Sequence, residues 1–362
     1  MKKIFIRIIE IVVFVLLVLF VINKASLFYT VYGKDLTDPD RSTRLFYELP
    51  KDSVDVIFLG DSHSYNSYVP SRIYKKAGVT SASLATSSSS IINQYWQLKE
   101  ALKSQKPKIV VLEAHVMKSI YDEDTRNGAM HITSGLYMMP DLSINKYKCL
   151  YDMKVNDYGC SNSIDYKDMN SLLLFKSDKD RDASNIDDIE NFLFASNKYF
   201  ETFGYFPSSE IHPLYKISQG ETETHIDLQK TLEFTYLEKI YELCKKNNIE
   251  FVISMAPFYN TKETGRIYTQ MFNWAHINKI KAINYFDLVE EIGLDLILDF
   301  QDSRHLNYYG AKKVTDYFVE FIEQYNLIDH RGDEEYSLWE NMNYDYDRLK
   351  EELKIAEKEL EY

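Results

Sequence analysis

Apolar residues fall along this chain in three patterns. The first is an unbroken run from Ile4 to Ile22, charged only at Arg7 and Glu10. As a helix it spans about 28 Å, close to the ~30 Å hydrocarbon core of a bilayer. Arg7 and Glu10 stand three apart near one end, where they can pair on one face and reach the interface. Lys2, Lys3 and Arg7 lie toward the N-terminus and only Lys24 follows closely, so the positive-inside rule puts residues after 25 outside the cell. A cleaved signal peptide is the rival reading. Its apolar region is usually shorter, and Asn23-Lys24-Ala25-Ser26-Leu27-Phe28 is a weak cleavage site, so a single-pass anchor over residues 1–25 is expected, followed by a linker over 26–51.

The second pattern is a run of short apolar segments alternating with helical periodicity. Val54–Gly60, Val79–Leu84, Lys108–Leu112, Ile249–Ala256 and Ala282–Phe286 read as buried strands. Helices are predicted over Ile91–Lys103, with Ile91, Tyr95, Leu98 and Leu102 on one face, and over Leu228–Cys244 and Thr261–Ala275. A last domain helix is predicted over Ala311–Tyr325, with Val314, Phe318, Phe321, Ile322 and Tyr325 facing inward. The alternation predicts an α/β fold over 52–327: a doubly wound, mainly parallel five-stranded sheet whose active site lies at the carboxyl ends of the strands. Residues 116–226 break the alternation. They are polar, rich in Asp and Tyr, and read as an insertion that shapes a binding site.

The third pattern is a heptad. Trp339, Tyr346, Leu353 and Leu360 are seven apart, as are Met342, Leu349 and Ala356. About three heptads make a coiled coil or a helix docked on the domain, and docking is expected for 328–362.

Composition narrows the function. The 362 residues are 45% hydrophobic and 27% charged, enough apolar mass for a packed core. A net charge of −13 excludes an extended phosphate-binding surface, so no nucleic-acid partner is expected. The 29 tyrosines suit sugar surfaces, although an AT-rich coding sequence accounts for them more simply. Three cysteines, Cys149, Cys160 and Cys244, do not make a disulfide scaffold, though Cys149 and Cys160 could pair outside the cell. No CxxC or Cys/His metal spacing occurs, and no cofactor or metal ion is expected.

The chemistry concentrates in two places. Gly60-Asp61-Ser62-His63-Ser64 directly follows the first strand, and Asp302-Ser303-Arg304-His305-Leu306-Asn307 precedes the last domain helix. A serine hydroxyl needs a base within hydrogen-bond reach, and a histidine oriented by a carboxylate supplies it. Taken singly, Ser62 could be a helix N-cap, and Asp302 and His305 a solvated loop. Together, at opposite ends of one α/β pattern, they form a specific signal for Ser62 as nucleophile, His305 as base and Asp302 as its orienting acid.

On these motifs the chain resembles the SGNH/GDSL hydrolase superfamily, over roughly residues 52–327. The resemblance implies an SGNH, flavodoxin-like fold with the nucleophile in Gly60-Asp61-Ser62 and the Asp/His pair in Asp302-x-x-His305. The single anchor looks like the membrane-bound branch, which includes D-alanyl-lipoteichoic acid transfer and alginate O-acetylation proteins. What that branch implies is an extracytoplasmic esterase or O-acyltransferase, acting on acyl esters of cell-envelope polysaccharide beside a multispanning membrane O-acyltransferase. Two stretches depart from the family pattern. Ala85, in Ser83-Leu84-Ala85-Thr86-Ser87, stands where the family has an oxyanion-hole glycine. His115, in Glu113-Ala114-His115, occupies the slot of the family's asparagine. The oxyanion set is then Ser62, Ala85 and His115, with a structural hydrogen bond as an equal reading for His115. One lost oxyanion donor costs about 10²–10³ in rate.

Two other classes compete. Asp61-Ser62-His63 is a D-x-H that could ligate a metal in a phosphoesterase, but the further GDxxD and GNH-type stretches are missing. A non-catalytic accessory or binding protein on the same fold would account for the departures at Ala85 and His115. The catalytic reading expects activity to fall as a histidine base protonates, below about pH 6.5 for an ordinary histidine.

Overall fold

The computed structural model describes residues 2–32, 39–120, 139–140, 142–156, 202–218, 226–259, 265–342 and 346–360. Its strands are β1 (Val56–Leu59), β2 (Ser81–Ser83), β3 (Ile109–Glu113), β4 (Glu250–Met255) and β5 (Lys281–Asn284). Its helices are α1 (Lys2–Tyr32), α2 (Pro39–Phe46), α3 (Ser62–Tyr65), α4 (Pro70–Ala77), α5 (Ile91–Ala101), α6 (Ile144–Val155), α7 (Leu232–Lys246), α8 (Gly265–Ile277), α9 (Tyr308–Ile322), α10 (Ser337–Glu340) and α11 (Tyr346–Leu360).

The five strands form one sheet in the order β2-β1-β3-β4-β5, and every pairing is parallel. Parallel strands need long crossovers, and the helices between them supply these on both faces. Successive residues of the central strands therefore enter different cores. Ile57, Leu59, Val110, Leu112 and Ile253 pack with α5, α7 and α8, whereas Val56, Phe58, Ile109, Val111 and Val252 pack with α4 and α9. The chain leaves β1 toward β2 on one side, then returns to β3 on the other. That reversal opens a crevice at the carboxyl ends of β1 and β3, where an open α/β sheet binds ligands.

Local chemistry sets the helix ends. Ser90 Oγ caps α5 by accepting the Asn93 N–H, and Thr231 Oγ1 caps α7 by accepting the Phe234 N–H. Gly310 lets α9 lie against the chain: a Cβ there would come 2.4 Å from the Asp299 carbonyl oxygen.

The five predicted strands and the predicted helices are present with shifted ends. Other elements differ from the sequence expectation. Helix α1 continues to Tyr32, past the apolar run, and within 39–49 Leu45, Phe46 and Leu49 enter the core beside the sheet. The insertion contains α6, whose Asp152 Oδ2 accepts both the Trp96 indole N–H (2.9 Å) and the Tyr236 hydroxyl (2.6 Å). Its buried face is narrow, with Asn145, Lys146, Cys149 and Met153, so helical periodicity is weak in the sequence. Cys160, which could pair with Cys149, lies outside the described residues.

Both described helices of the heptad tail pack on the domain. Trp339 in α10 stacks on Phe203 and donates its indole N–H to the Ser81 carbonyl. Leu349 and Leu353 of α11 are buried with Val69, Tyr205, Tyr308 and Ala311. At the other end, Lys3–Val21 of α1 has a mean hydropathy of 3.1 and none of it is buried, so the helix is long and apolar enough to cross a membrane.

Candidate active site

Gly60 ends β1 with φ of +149°, and a Cβ on it would come 2.7 Å from both Glu113 Cβ and Ser64 Cβ. The strand can turn sharply into α3 only because no side chain stands there. Asp61 caps that short helix, its Oδ1 accepting the His63 N–H at 3.0 Å. Ser62 is thus the first residue of a helix at the mouth of the switch-point crevice. Its N–H lies in the first turn, where helix donors lack intrahelical partners.

The second motif forms a small loop closed by an antiparallel bridge between Phe300 and Leu306 and by the Gln301 N–H donating to the His305 carbonyl. Asp302 Oδ1 accepts the N–H groups of Arg304 (2.6 Å) and His305 (2.9 Å). Its other oxygen lies 2.8 Å from His305 Nδ1, and His305 Nε2 lies 2.7 Å from Ser62 Oγ. Ser62, His305 and Asp302 therefore meet in one hydrogen-bonded line across 243 residues of sequence separation. Partial burial works to raise the Asp302 carboxyl, but the His305 hydrogen bond and charge outweigh it and hold the group below its ordinary value. An ionised Asp302 accepts the Nδ1 proton, which leaves the Nε2 lone pair facing the serine hydroxyl.

The residues assigned to the oxyanion set are engaged differently. The Ala85 N–H donates to Ser83 Oγ at 3.1 Å. His115 Nδ1 lies 2.7 Å from Asp61 Oδ2, in a buried contact. Burial works to raise Asp61, yet its contact with His115, with smaller effects from His63 and Lys118, holds its carboxyl below the ordinary value. Burial pushes His115 down from the ordinary histidine value, against the pull of Asp61. A carboxylate only accepts, so the neutral ring carries its proton on Nδ1 and keeps a lone pair on Nε2.

Several supporting residues carry no sequence assignment. Asn307 caps α9 through the Tyr309 and Gly310 N–H groups while its Nδ2 donates to the carbonyls of Leu298 and Glu210. This one side chain joins the histidine loop, the last helix and the insertion. Its place in Asp-x-x-His-Leu-Asn is the available signal. The 202–218 segment braces both motifs: the Phe206 N–H donates to the Tyr65 carbonyl behind Ser62, and the His212 N–H donates to the Phe300 carbonyl at the base of the His305 loop. Behind the crevice, Glu113 is fully buried at the end of β3 and accepts from Ser254 Oγ and the Ala256 N–H. Burial, countered by those bonds and reinforced by Asp61, pushes its carboxyl up to about 8. Of the D-x-H pair, His63 is buried against His115, with ring centroids 3.6 Å apart.

No family model matches the chain, and no curated protein does. Among solved structures, the chain is similar to a protein of Desulfitobacterium hafniense DCB-2 assigned to the lipolytic G-D-S-L family. That alignment covers 73% of this chain and 97% of the other, at 9% identity and a TM-score of 0.37. It is also similar to a protein of Bacteroides fragilis NCTC 9343 assigned as an acylhydrolase, over 81% and 99% of the two chains, at 12% identity and a TM-score of 0.38. Likeness at this distance does not decide a reaction, which belongs to the groups gathered around Ser62.

Proposed function

We propose that this chain is a serine ester hydrolase or O-acyltransferase. The observation that carries the reading is the Ser62–His305–Asp302 line at 2.7 and 2.8 Å. Nucleophile, base and orienting acid stand within hydrogen-bond reach of one another, in the geometry covalent acyl transfer needs.

The steps follow from that line. His305 Nε2 takes the Ser62 hydroxyl proton as Oγ attacks an ester carbonyl carbon. The tetrahedral intermediate collapses, the C–O bond to the leaving alcohol breaks, and His305 returns the proton to that alcohol. Water or a sugar hydroxyl then attacks the acyl-serine, with His305 accepting its proton and returning it to Ser62. The Ser62 N–H is the first oxyanion donor, at the positive end of α3. Ala85 joins by exchanging Ser83 Oγ for the oxyanion. His115 joins only as an imidazolium, a form its burial disfavours, because the one N–H of its neutral ring donates to Asp61.

The exposed apolar α1 supports placing the domain outside a membrane as a single-pass protein, and the resemblance to the membrane-bound branch supports acyl esters of cell-envelope polysaccharide as substrates. A multispanning acyltransferase as partner belongs to that same reading. A fluorophosphonate probe tests the core of it. The full chain should label, and Ser62→Ala should not. Absence of labelling in the wild type, or equal labelling of the variant, overturns the catalytic reading in favour of an accessory role on the same fold.

A further inference from the structure

A second cluster stands beside Ser62 and takes no part in the acyl-transfer line. Asp61, His63 and His115 are all buried, and one potential ligand atom from each lies within 4.8 Å of the others. His63 is the unexplained member. It is 1% exposed, and neither its Nδ1 nor its Nε2 has a hydrogen-bond partner. A buried imidazole with both nitrogens idle costs about 1–3 kcal/mol for each unmet group, so such a side chain calls for a ligand. Phe258 packs edge-on against both rings, with centroids 5.0 Å from His63 and 5.2 Å from His115. Both rings are therefore shielded from bulk water. The sequence alone supplies only the D-x-H of Asp61 and His63. The reversal of strand order brings in a third donor, His115, from the end of β3.

We propose that Asp61, His63 and His115 form a binding site for a first-row divalent transition-metal ion such as Zn²⁺, adjacent to the nucleophile. Two imidazoles and one carboxylate suit such ions and leave coordination positions open. Hard cations such as Mg²⁺ and Ca²⁺ prefer all-oxygen sets. Ser62 is not a member of the cluster, so removing its hydroxyl leaves the proposed ligand set intact.

The experiment uses the full chain in detergent, stripped by chelator and dialysed. Zn²⁺ is titrated calorimetrically, and Co²⁺ is followed by its visible ligand-field spectrum. One Zn²⁺ per chain with micromolar or tighter affinity is expected, together with Co²⁺ bands of an N/O site. His63→Ala and His115→Ala should each weaken binding at least 100-fold, while Ser62→Ala should bind as the wild type does. No saturable binding to the wild type, or unchanged affinity in both histidine variants, overturns the site. Because the wild-type titration is decisive alone, a variant that fails to fold does not protect the proposal. Retained binding in Ser62→Ala, whatever that variant does to labelling, separates this site from the serine-hydrolase reading.

Discussion

Two Asp–His pairs flank the same serine, at nearly equal length and in opposite surroundings. Asp302–His305 spans 2.8 Å on a loop at the rim, with half of the Asp302 side chain exposed. Asp61–His115 spans 2.7 Å in the interior, where the Asp61 side chain is 0% exposed. The pairing alone therefore assigns no role. What differs is where each ring lies: His305 Nε2 meets the serine hydroxyl, whereas the His115 ring packs at a tilt against His63. The rim pair can exchange protons with a substrate at little structural cost. The interior pair is held by burial, and disturbing it leaves a polar group stranded.

The largest effect should separate the two histidines by activity. His305→Ala should cut fluorophosphonate labelling and ester turnover about 10⁴-fold or more, as loss of a triad base does. His115→Ala should cost no more than the roughly 10²–10³-fold of a single oxyanion donor. Equal losses would erase the distinction between the pairs.

Stability should separate the two acids in the opposite sense. Asp61→Ala strands the His115 N–H and removes the α3 cap, and should lower the unfolding free energy by about 2–5 kcal/mol in chemical denaturation. Glu113 sharpens the contrast, being an interior carboxyl bonded to Ser254 Oγ and to the backbone N–H groups of Ala256 and His115 rather than to a histidine ring. Its carboxyl rises from 4.5 to about 8 in the folded chain. Below 4.5 both states hold the proton. Between 4.5 and 8 only the folded state does, so stability should fall across that window, by a few kcal/mol in all. Glu113→Gln should flatten that slope, and a slope left unchanged would refute the raised value. The smallest effect belongs to the rim: Asp302→Ala should change stability by less than about 1 kcal/mol while still lowering turnover.

Much of this architecture is legible before folding is considered. The five strands appear as short apolar runs because each is buried on both faces, and Ser62 and His305 can be assigned because their motifs adjoin predictable elements. Helix α6 is poorly legible, since it buries mainly Asn145, Lys146, Cys149 and Met153 against α5. The segment 202–218 is not legible at all. Its bonds to the two motifs are made by backbone groups of Phe206 and His212, which are the same for any residue except proline.

What the sequence determined by itself is local: the apolar period of each strand and helix, the sharp turn Gly60 allows, and the Asp302–His305 pair, whose members are three residues apart. What only the tertiary structure decided is which distant groups share a volume. His115 reaches Asp61 across 54 residues because strand order places the ends of β1 and β3 side by side, and His305 reaches Ser62 across 243 because the helix after its loop packs on β1 through Phe318 and Phe58. The same reversal sets His63 against His115 and leaves its nitrogens unpaired, a property no single segment carries. Periodicity records which face a residue turns inward, but hydrogen bonds and ligand sets are relations between segments, and those exist only once the sheet has chosen its order.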